Sequence, residues 1–315
     1  MFWERALPSA NVTLVRGVQP VLVDSGFGSD VEDLGAWLDA QGVRPGNLRV
    51  VNTHFHSDHV GGNAFLRRAY GARIGAHAWE AALVNRRSRD ACSAEWLDQP
   101  VEPYRVDDVF VGGEVLDAGG ATLEVVHAPG HTLGHVAFLV REERALILGD
   151  VVHARDVAWL NPFVEGRGAI DRLIGTVERL LTLGARAAFT GHGPPLLNPD
   201  AEFRAALGKL QRWLREPEFM YWHGAKRTFA YALMLRGGLA RDEVEPYLLA
   251  REWVRDYALH AFRVTPVEFV RLLLAEMERS GAARWEENVL RAGLPHRSPP
   301  RAWLDGVPRP PDWPS

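Results

Sequence analysis

The sequence predicts an α/β fold, with β-sheets covered by helices and a smaller, mainly helical domain following. Three observations carry this. Short β-branched runs and amphipathic segments intermix through the first part of the chain, so the sheets need helices to cover them. Pro194-Pro195-Leu196-Leu197-Asn198-Pro199-Asp200 is rich in breakers and reads as a linker. Beyond it, apolar residues fall mainly at helical spacing. A chain of 315 residues exceeds the length at which one core usually stays whole. The expected division is a sheet-and-helix domain over 1–198, a helical domain over 199–297 and a proline-rich tail over 298–315.

Each element has its own warrant. Asn11 to Arg16, Pro20 to Asp24, Arg49 to Asn52 and Arg73 to Gly75 read as strands, and Val31 to Gln41 between them is amphipathic. Further strands are expected at Thr122–His127, Val136–Val140 and Leu146–Gly149, and again at Ala187–Thr190. Asp171 is expected to cap a helix running through Leu183, with Leu173, Ile174, Val177, Leu180 and Leu181 on one face. Past the linker, Asp200 is expected to cap a helix to Arg215. Thr265-Pro266-Val267-Glu268 supplies an N-cap, a first-turn proline and a capping-box acid before a helix that Ser280-Gly281 ends. Ala282 to Trp285 predicts a short strand or wing. Prolines at 295, 299, 300, 308, 310, 311 and 314 argue against any helix in the tail, which Trp303 and Trp313 would pin across the surface.

Composition narrows the class. A net charge of −4, with residues 216–297 balanced, supplies no basic excess for nucleic acid, which stays an open but unsupported partner. No apolar run reaches transmembrane length, and the start lacks a secretory pattern, so no membrane association and a cytoplasmic location are expected. A small-molecule substrate is the expected partner, and a homodimer is open. The single Cys92 excludes an internal disulfide and lies in a polar stretch far from any motif. Asn85-Arg86-Arg87-Ser88-Arg89 reads as a solvated loop, or as a clamp for an anionic substrate.

The chemistry concentrates at His54-Phe55-His56-Ser57-Asp58-His59, four candidate metal ligands within six residues. Imidazoles and a carboxylate so crowded repel or stay unsatisfied unless a cation gathers them. In an extended segment His54 and His56 share a face while Phe55 turns into the core. Three later segments each deliver one more ligand at a strand's end: His131 after Pro129-Gly130, Asp150 after Gly149, and His192 between Gly191 and Gly193.

Taken together, His-x-His-x-Asp-His, Pro-Gly-His-Thr-x-Gly-His, Gly-Asp and Gly-His-Gly resemble the metallo-β-lactamase superfamily of binuclear metallohydrolases, in its glyoxalase-II-like branch, over about residues 10 to 198. The resemblance implies an αββα sandwich with the metals at one edge between the sheets. It places His54, His56 and His131 on one metal, Asp58, His59 and His192 on the other, and Asp150 between them. Asp24, ending Val21-Leu22-Val23, matches the aspartate that orients the first-metal loop from behind. His135 is expected either to contact substrate or to support structure, and His153 to line the pocket or to be solvated. His56 stands where the flavodiiron branch has Glu, and Asp150 stands where one β-lactamase class has Cys. The helical part resembles the winged-helix-like appendix of one branch.

The implied reaction is hydrolysis by a binuclear centre, a metal-bridging hydroxide attacking an activated acyl group such as a thioester, ester or lactone. Asp58 and Asp150 would accept the proton. Two Zn2+ ions are the default for an all-nitrogen-and-oxygen set, with iron and manganese open. The alternatives are a phosphodiesterase or ribonuclease on the same site, a mononuclear iron persulfide dioxygenase, and a non-catalytic scaffold.

Overall fold

The computed structural model describes residues 1–314. Six strands make the first sheet in the order β1 (Phe2–Trp3), β2 (Val12–Val15), β3 (Val21–Val23), β4 (Arg49–Val51), β5 (Arg73–His77) and β6 (Asp108–Phe110). The first three are antiparallel and the last four run parallel, their crossovers formed by α1 (Val31–Ala40), a loop with the single turn α2 (Ser57–Val60) and α3 (Asn63–Tyr70), and α4 (Ala78–Asn85) with the short α5 (Ala94–Leu97). The second sheet holds β7 (Val115–Asp117), β8 (Thr122–His127), β9 (Val136–Val140) and β10 (Ala145–Gly149) as an antiparallel meander. After the hairpin β11 (Val152–His153) and β12 (Asp156–Val157), the helix α6 (Ala169–Thr182) returns the chain so that β13 (Ala187–Thr190) pairs parallel with β10.

Strand alternation sorts these residues into layers. Val21, Val23, Val51 and Phe110 face Leu123, Val125, Phe138 and Ile147 in a core between the sheets, whereas Leu22 and Val50 point outward to Leu34, Leu38 and Leu66 of the covering helices. On the far side Leu146 and Leu148 meet Leu173, Val177 and Leu180 of α6 and Phe203 and Leu210 of α7 (Pro199–Arg215). Each such buried Leu, Val or Phe contributes roughly 1.5–3 kcal/mol relative to exposure. The result is the four-layered αββα sandwich.

Two helix starts differ from expectation. Gly168 precedes α6, and Asp171 sits in its first turn, where a carboxylate meets the positive end of the helix without capping it. At α7 the cap is Asn198, whose side chain accepts from the Ala201 amide at 3.3 Å, because Pro199 already occupies the first helical position. By contrast Thr265 caps α11 (Pro266–Arg279) as its sequence predicts, accepting from the Glu268 amide.

The C-terminal part centres on α8 (Pro217–Arg236), which ends at Gly237 with φ 66°, a left-handed turn that favours glycine. There follow β14 (Leu239–Ala240), α9 (Arg241–Leu249), α10 (Glu252–Asp256) continuing into a π-helical turn, α11, β15 (Ala283–Glu286) and β16 (Val289–Ala292). The three strands form an antiparallel sheet in the order β14-β16-β15. Phe229, Leu233, Trp253, Tyr257, Phe269 and Leu273 fill its separate core.

Contrary to the proline argument, the tail contains a helix, α12 (Arg301–Gly306), which fits between Pro300 and Pro308 because the intervening residues carry no proline. Trp303 packs on Phe27 at 5.1 Å between rings. Trp313 does more than cross the surface: it is buried in the first sheet's outer core and donates to the Val101 carbonyl at 2.7 Å. Asp98, nearly sequestered, gathers Arg236 of α8 (2.7 Å), Arg251 (2.8 Å) and Arg309 of the tail. No helix is long and apolar enough to cross a membrane among the described residues.

Candidate metal centre

The ligand-bearing loops leave neighbouring strand ends of both sheets. From β4 the chain passes Asn52 and Thr53 into His54, then His56, then the turn α2 with Asp58 and His59. A polar lattice holds this loop: Ser25 donates to Asn63 at 2.9 Å, Asn63 to Asn52 at 2.9 Å, and the Ser25 amide to the His59 carbonyl at 2.8 Å. From the second sheet come His131 after β8, Asp150 after β10 and His192 after β13. Glycine lets them close in, since a Cβ at Gly191 would collide with Asp150 and His59. Asn11 secures the same loop, its side-chain amide donating to the Thr190 and Gly193 carbonyls at 3.0 and 2.8 Å.

Three imidazole nitrogens converge first. His54 Nε2, His56 Nδ1 and His131 Nε2 form a triangle with sides of 3.1, 2.9 and 3.1 Å. His131 Nδ1 stands 2.6 Å from the Trp159 carbonyl, which only accepts, so its proton is committed there and Nε2 turns a lone pair inward. Nitrogens about 2.1 Å from one ion at tetrahedral angles are about 3.4 Å apart, close to this spacing.

The second group lies beside it. Asp58 Oδ2 is 3.1 Å from His192 Nε2 and 3.9 Å from His59 Nε2. Asp150 sits between the groups, Oδ1 at 3.4 Å from His59 Nε2 and Oδ2 at 3.7 Å from both His131 and His192. His59 Nε2 and Asp150 Oδ1 are buried without any hydrogen-bond partner, a costly state that a cation would relieve. The donor set therefore fits divalent metal ions. Clusters of three ligand atoms form as His54-His56-His131, Asp58-His59-His192 and His54-His59-Asp150.

Charge is tuned by burial and by neighbours. Desolvation, with His59 and other imidazoles nearby, holds His54 well below the ordinary imidazole range. Burial opposes ionisation of Asp150, yet His192, His59 and His153 around it keep its carboxyl well below the usual carboxylate range.

The residues around the centre take definite places. Asp24, at φ 61°, accepts from the Thr53 amide (2.7 Å) and hydroxyl (2.8 Å), and stands 2.8 Å from His59 Nδ1. It thus grips the second group directly and the first only through Thr53, 3.1 Å from His54 Nδ1. Of the two readings of His135, the geometry fits structural support: fully enclosed, its Nε2 accepts the Asp150 amide at 3.0 Å. His153 lines the cavity with Nε2 3.8 Å from Asp150. Cys92 is wholly buried, its thiol pushed far up by desolvation. The basic loop does not reach the centre: Asn85 binds the Val106 backbone, Arg87 the Trp313 carbonyl and Arg89 Glu252.

The centre opens into a cavity of about 200 Å3. One side is the ligand set; the other is mostly apolar, from Leu97 and Trp159 together with Thr228, Ala230, Tyr231 and Met234 of α8, and Arg227 is its cation. The aromatics dense near the junction, Trp213, Phe219, Tyr221, Trp222, Phe229 and Tyr231, offered core or the wall of an apolar substrate pocket as readings of the sequence; of these Tyr231 alone lines the cavity, and the rest of the wall comes from segments far apart in the chain.

A family model described as the metallo-beta-lactamase superfamily matches residues 6–192. The chain is 28% identical over 204 residues to an atrochrysone carboxyl ACP thioesterase of Aspergillus fumigatus, covering 64% of this chain and 55% of that protein. It is 31% identical over 156 residues to a hydroxyacylglutathione hydrolase of Methylococcus capsulatus, covering 49% and 51%. The chain thus spans about half the length of these curated relatives. Among solved structures, a metallo-beta-lactamase family protein of Thermus thermophilus aligns with 93% of this chain and 98% of its own, at TM-score 0.60 and 21% identity. That likeness is one of fold, and it extends into the C-terminal helices. A structure solved in a di-iron-bound form aligns with 64% of this chain and 98% of its own, at TM-score 0.53 and 27% identity.

Proposed function

The chain belongs to the metallo-beta-lactamase superfamily, and on that premise we propose that it is a binuclear metal-dependent hydrolase of activated acyl compounds, thioesters before esters and lactones. The observation that carries the reading is Asp150, a buried carboxylate with one unpartnered oxygen between two ligand groups, at the floor of a largely apolar cavity. His54, His56 and His131 would hold one ion, Asp58, His59 and His192 the other, with Asp150 shared. Zinc is the default; a di-iron-bound relative keeps iron in view. Ions bound there supply a water acidic enough to attack at neutral pH and a Lewis acid for the scissile carbonyl.

The protein's own groups do the rest. Asp24, Thr53 and the Trp159 carbonyl fix the tautomers of His59, His54 and His131 in turn, so that lone pairs rather than protons would face the ions. With ions held there, Asp58 or Asp150 would be the carboxylate placed to accept the proton of the attacking water. The wall from α8 excludes bulk water and receives an apolar acyl group. We read the order α8-β14-α9-α10-α11-β15-β16 of the C-terminal part as a winged helix with the short α10 inserted, whose first helix serves as this wall. A lining poor in cations favours an acyl group over a polyanionic strand. Relatives that include an acyl-carrier thioesterase and a hydroxyacylglutathione hydrolase support the same class.

The test is elemental analysis of the purified protein with rates on a thioester, an ester, a lactone, a β-lactam and a bis-aryl phosphodiester, before and after chelation. Thioester hydrolysis lost on chelation and restored by zinc is expected. Full activity of the metal-free protein, or preference for the phosphodiester, would overturn the proposal.

A further inference from the structure

A second cavity, of about 470 Å3, lies on the other side of the loop that carries His131. Its lining is lopsided in charge: Glu80, Asp90, Glu95, Glu165, Glu252 and Asp256 contribute carboxyl groups, and Arg89, already paired with Glu252 at 2.8 Å, is the one cation. Aromatic faces stand among them. Trp79 is half exposed, Trp96 is buried with Nε1 donating to Asp256 at 2.7 Å, and Phe163 lies 6.3 Å from Trp96 between ring centres.

Two observations point to a cationic ligand for this cavity. Glu80, only 2% exposed, uses one oxygen to accept from Thr132 at 2.5 Å, while its other oxygen has no hydrogen-bond partner. Burial keeps its carboxyl well above the usual range, and raises Glu165 to about 7 although the Leu133 amide donates to it. Both groups are held short of ionisation, a state that a compensating positive charge would reverse.

The occupant is not a bare metal ion. Among the described residues, clusters of three close ligand atoms occur only at the catalytic centre, so these carboxyl groups are spread around the wall rather than converging on a point. A spread of acids interleaved with indole and phenyl faces matches an extended molecule with separated positive charges and methylene segments between them. We infer that this cavity is a binding site for a linear organic polyamine, its ammonium groups paired with Glu80, Glu95 and Glu165 and its methylenes lying against Trp79, Trp96 and Phe163.

The site touches the catalytic centre from behind. Thr132, bonded to Glu80, adjoins His131; Phe55, on the cavity wall, lies between His54 and His56; and Trp96 packs 5.9 Å from Trp159, whose carbonyl orients His131. A bound polyamine would therefore border the centre without occupying the substrate cavity.

Calorimetric titration of the metal-loaded, full-length protein with spermidine at fixed ionic strength tests this directly, whatever the substrate of the enzyme is. Saturable binding is expected, with quenching of tryptophan fluorescence, no uptake of a neutral diol of similar length, and no displacement by Mg2+. Glu95→Gln with Glu165→Gln should weaken binding by about ten-fold or more, whereas Glu142→Gln with Glu143→Gln, removing equal charge from a remote turn, should not. Absence of saturation, equal weakening by both pairs of substitutions, or displacement by Mg2+ would each overturn the inference.

Discussion

Asp24 Oδ2 stands 2.8 Å from His59 Nδ1, and the same carboxylate accepts both the amide and the hydroxyl of Thr53. One side chain thereby sets the ring orientation in one ligand group and the loop that begins the other. Asp24→Asn retains size but offers one acceptor oxygen in place of two, so metal affinity should fall by about 10–100-fold. Titration against a competing chelator measures this, and unchanged affinity would remove Asp24 from the support of the centre.

Loss of a ligand should be more severe. His54→Ala or Asp150→Ala is expected to lower bound metal by elemental analysis and to abolish hydrolysis, while the far-ultraviolet signal of the C-terminal helices stays. Either variant with full activity would take that residue out of the mechanism.

The cavity wall should select the acyl group. Met234→Trp fills space opposite the ligand set, so KM for a long acyl thioester should rise about ten-fold while kcat for an acetyl thioester changes little. Parallel losses on both substrates would place Met234 in general packing instead.

Stability should decline across the acidic to neutral range through Glu165. Its carboxyl lies at about 7 in the folded protein against an ordinary 4.5, so the folded state binds the extra proton and stability falls as pH rises between those values. The full effect is about 3 kcal/mol. Glu165→Gln should flatten this part of the profile in denaturant titrations; an unchanged slope would contradict the assignment.

Cys92 should be inert. With the thiol fully enclosed and held far above its ordinary range, iodoacetamide is expected to label it only after unfolding. Rapid labelling of the native protein would show that the segment opens.

The clustering of the candidate ligands was legible because metal chemistry admits few residue types, and because strands that end at one sheet edge place their last side chains together. His54, His131, Asp150 and His192 each announce themselves at such an end. The layers were legible for a related reason: Val21-Leu22-Val23 alternates faces whatever packs upon it. Helix starts were harder, since Asn198 and Asp200 are both capable caps, and Pro199 between them decides. The tail helix is hidden by the high proline content of the segment as a whole, although residues 301–307 contain none. The wall of the cavity was legible only in Tyr231, one of the aromatics clustered near the junction, since Leu97, Met234 and Leu294 join it through tertiary packing. His135 was legible only as a choice: its motif position allowed substrate contact or support, and its bond to the Asp150 amide fits the second.

Asp98 joins three parts of the chain far apart in sequence, and Trp313 returns the far end of the polypeptide to the core laid down first. The helical part is consequently laced to the sandwich at both its beginning and its end. Melting should then be a single cooperative event, and the roof over the reaction chamber cannot swing aside as an independent body.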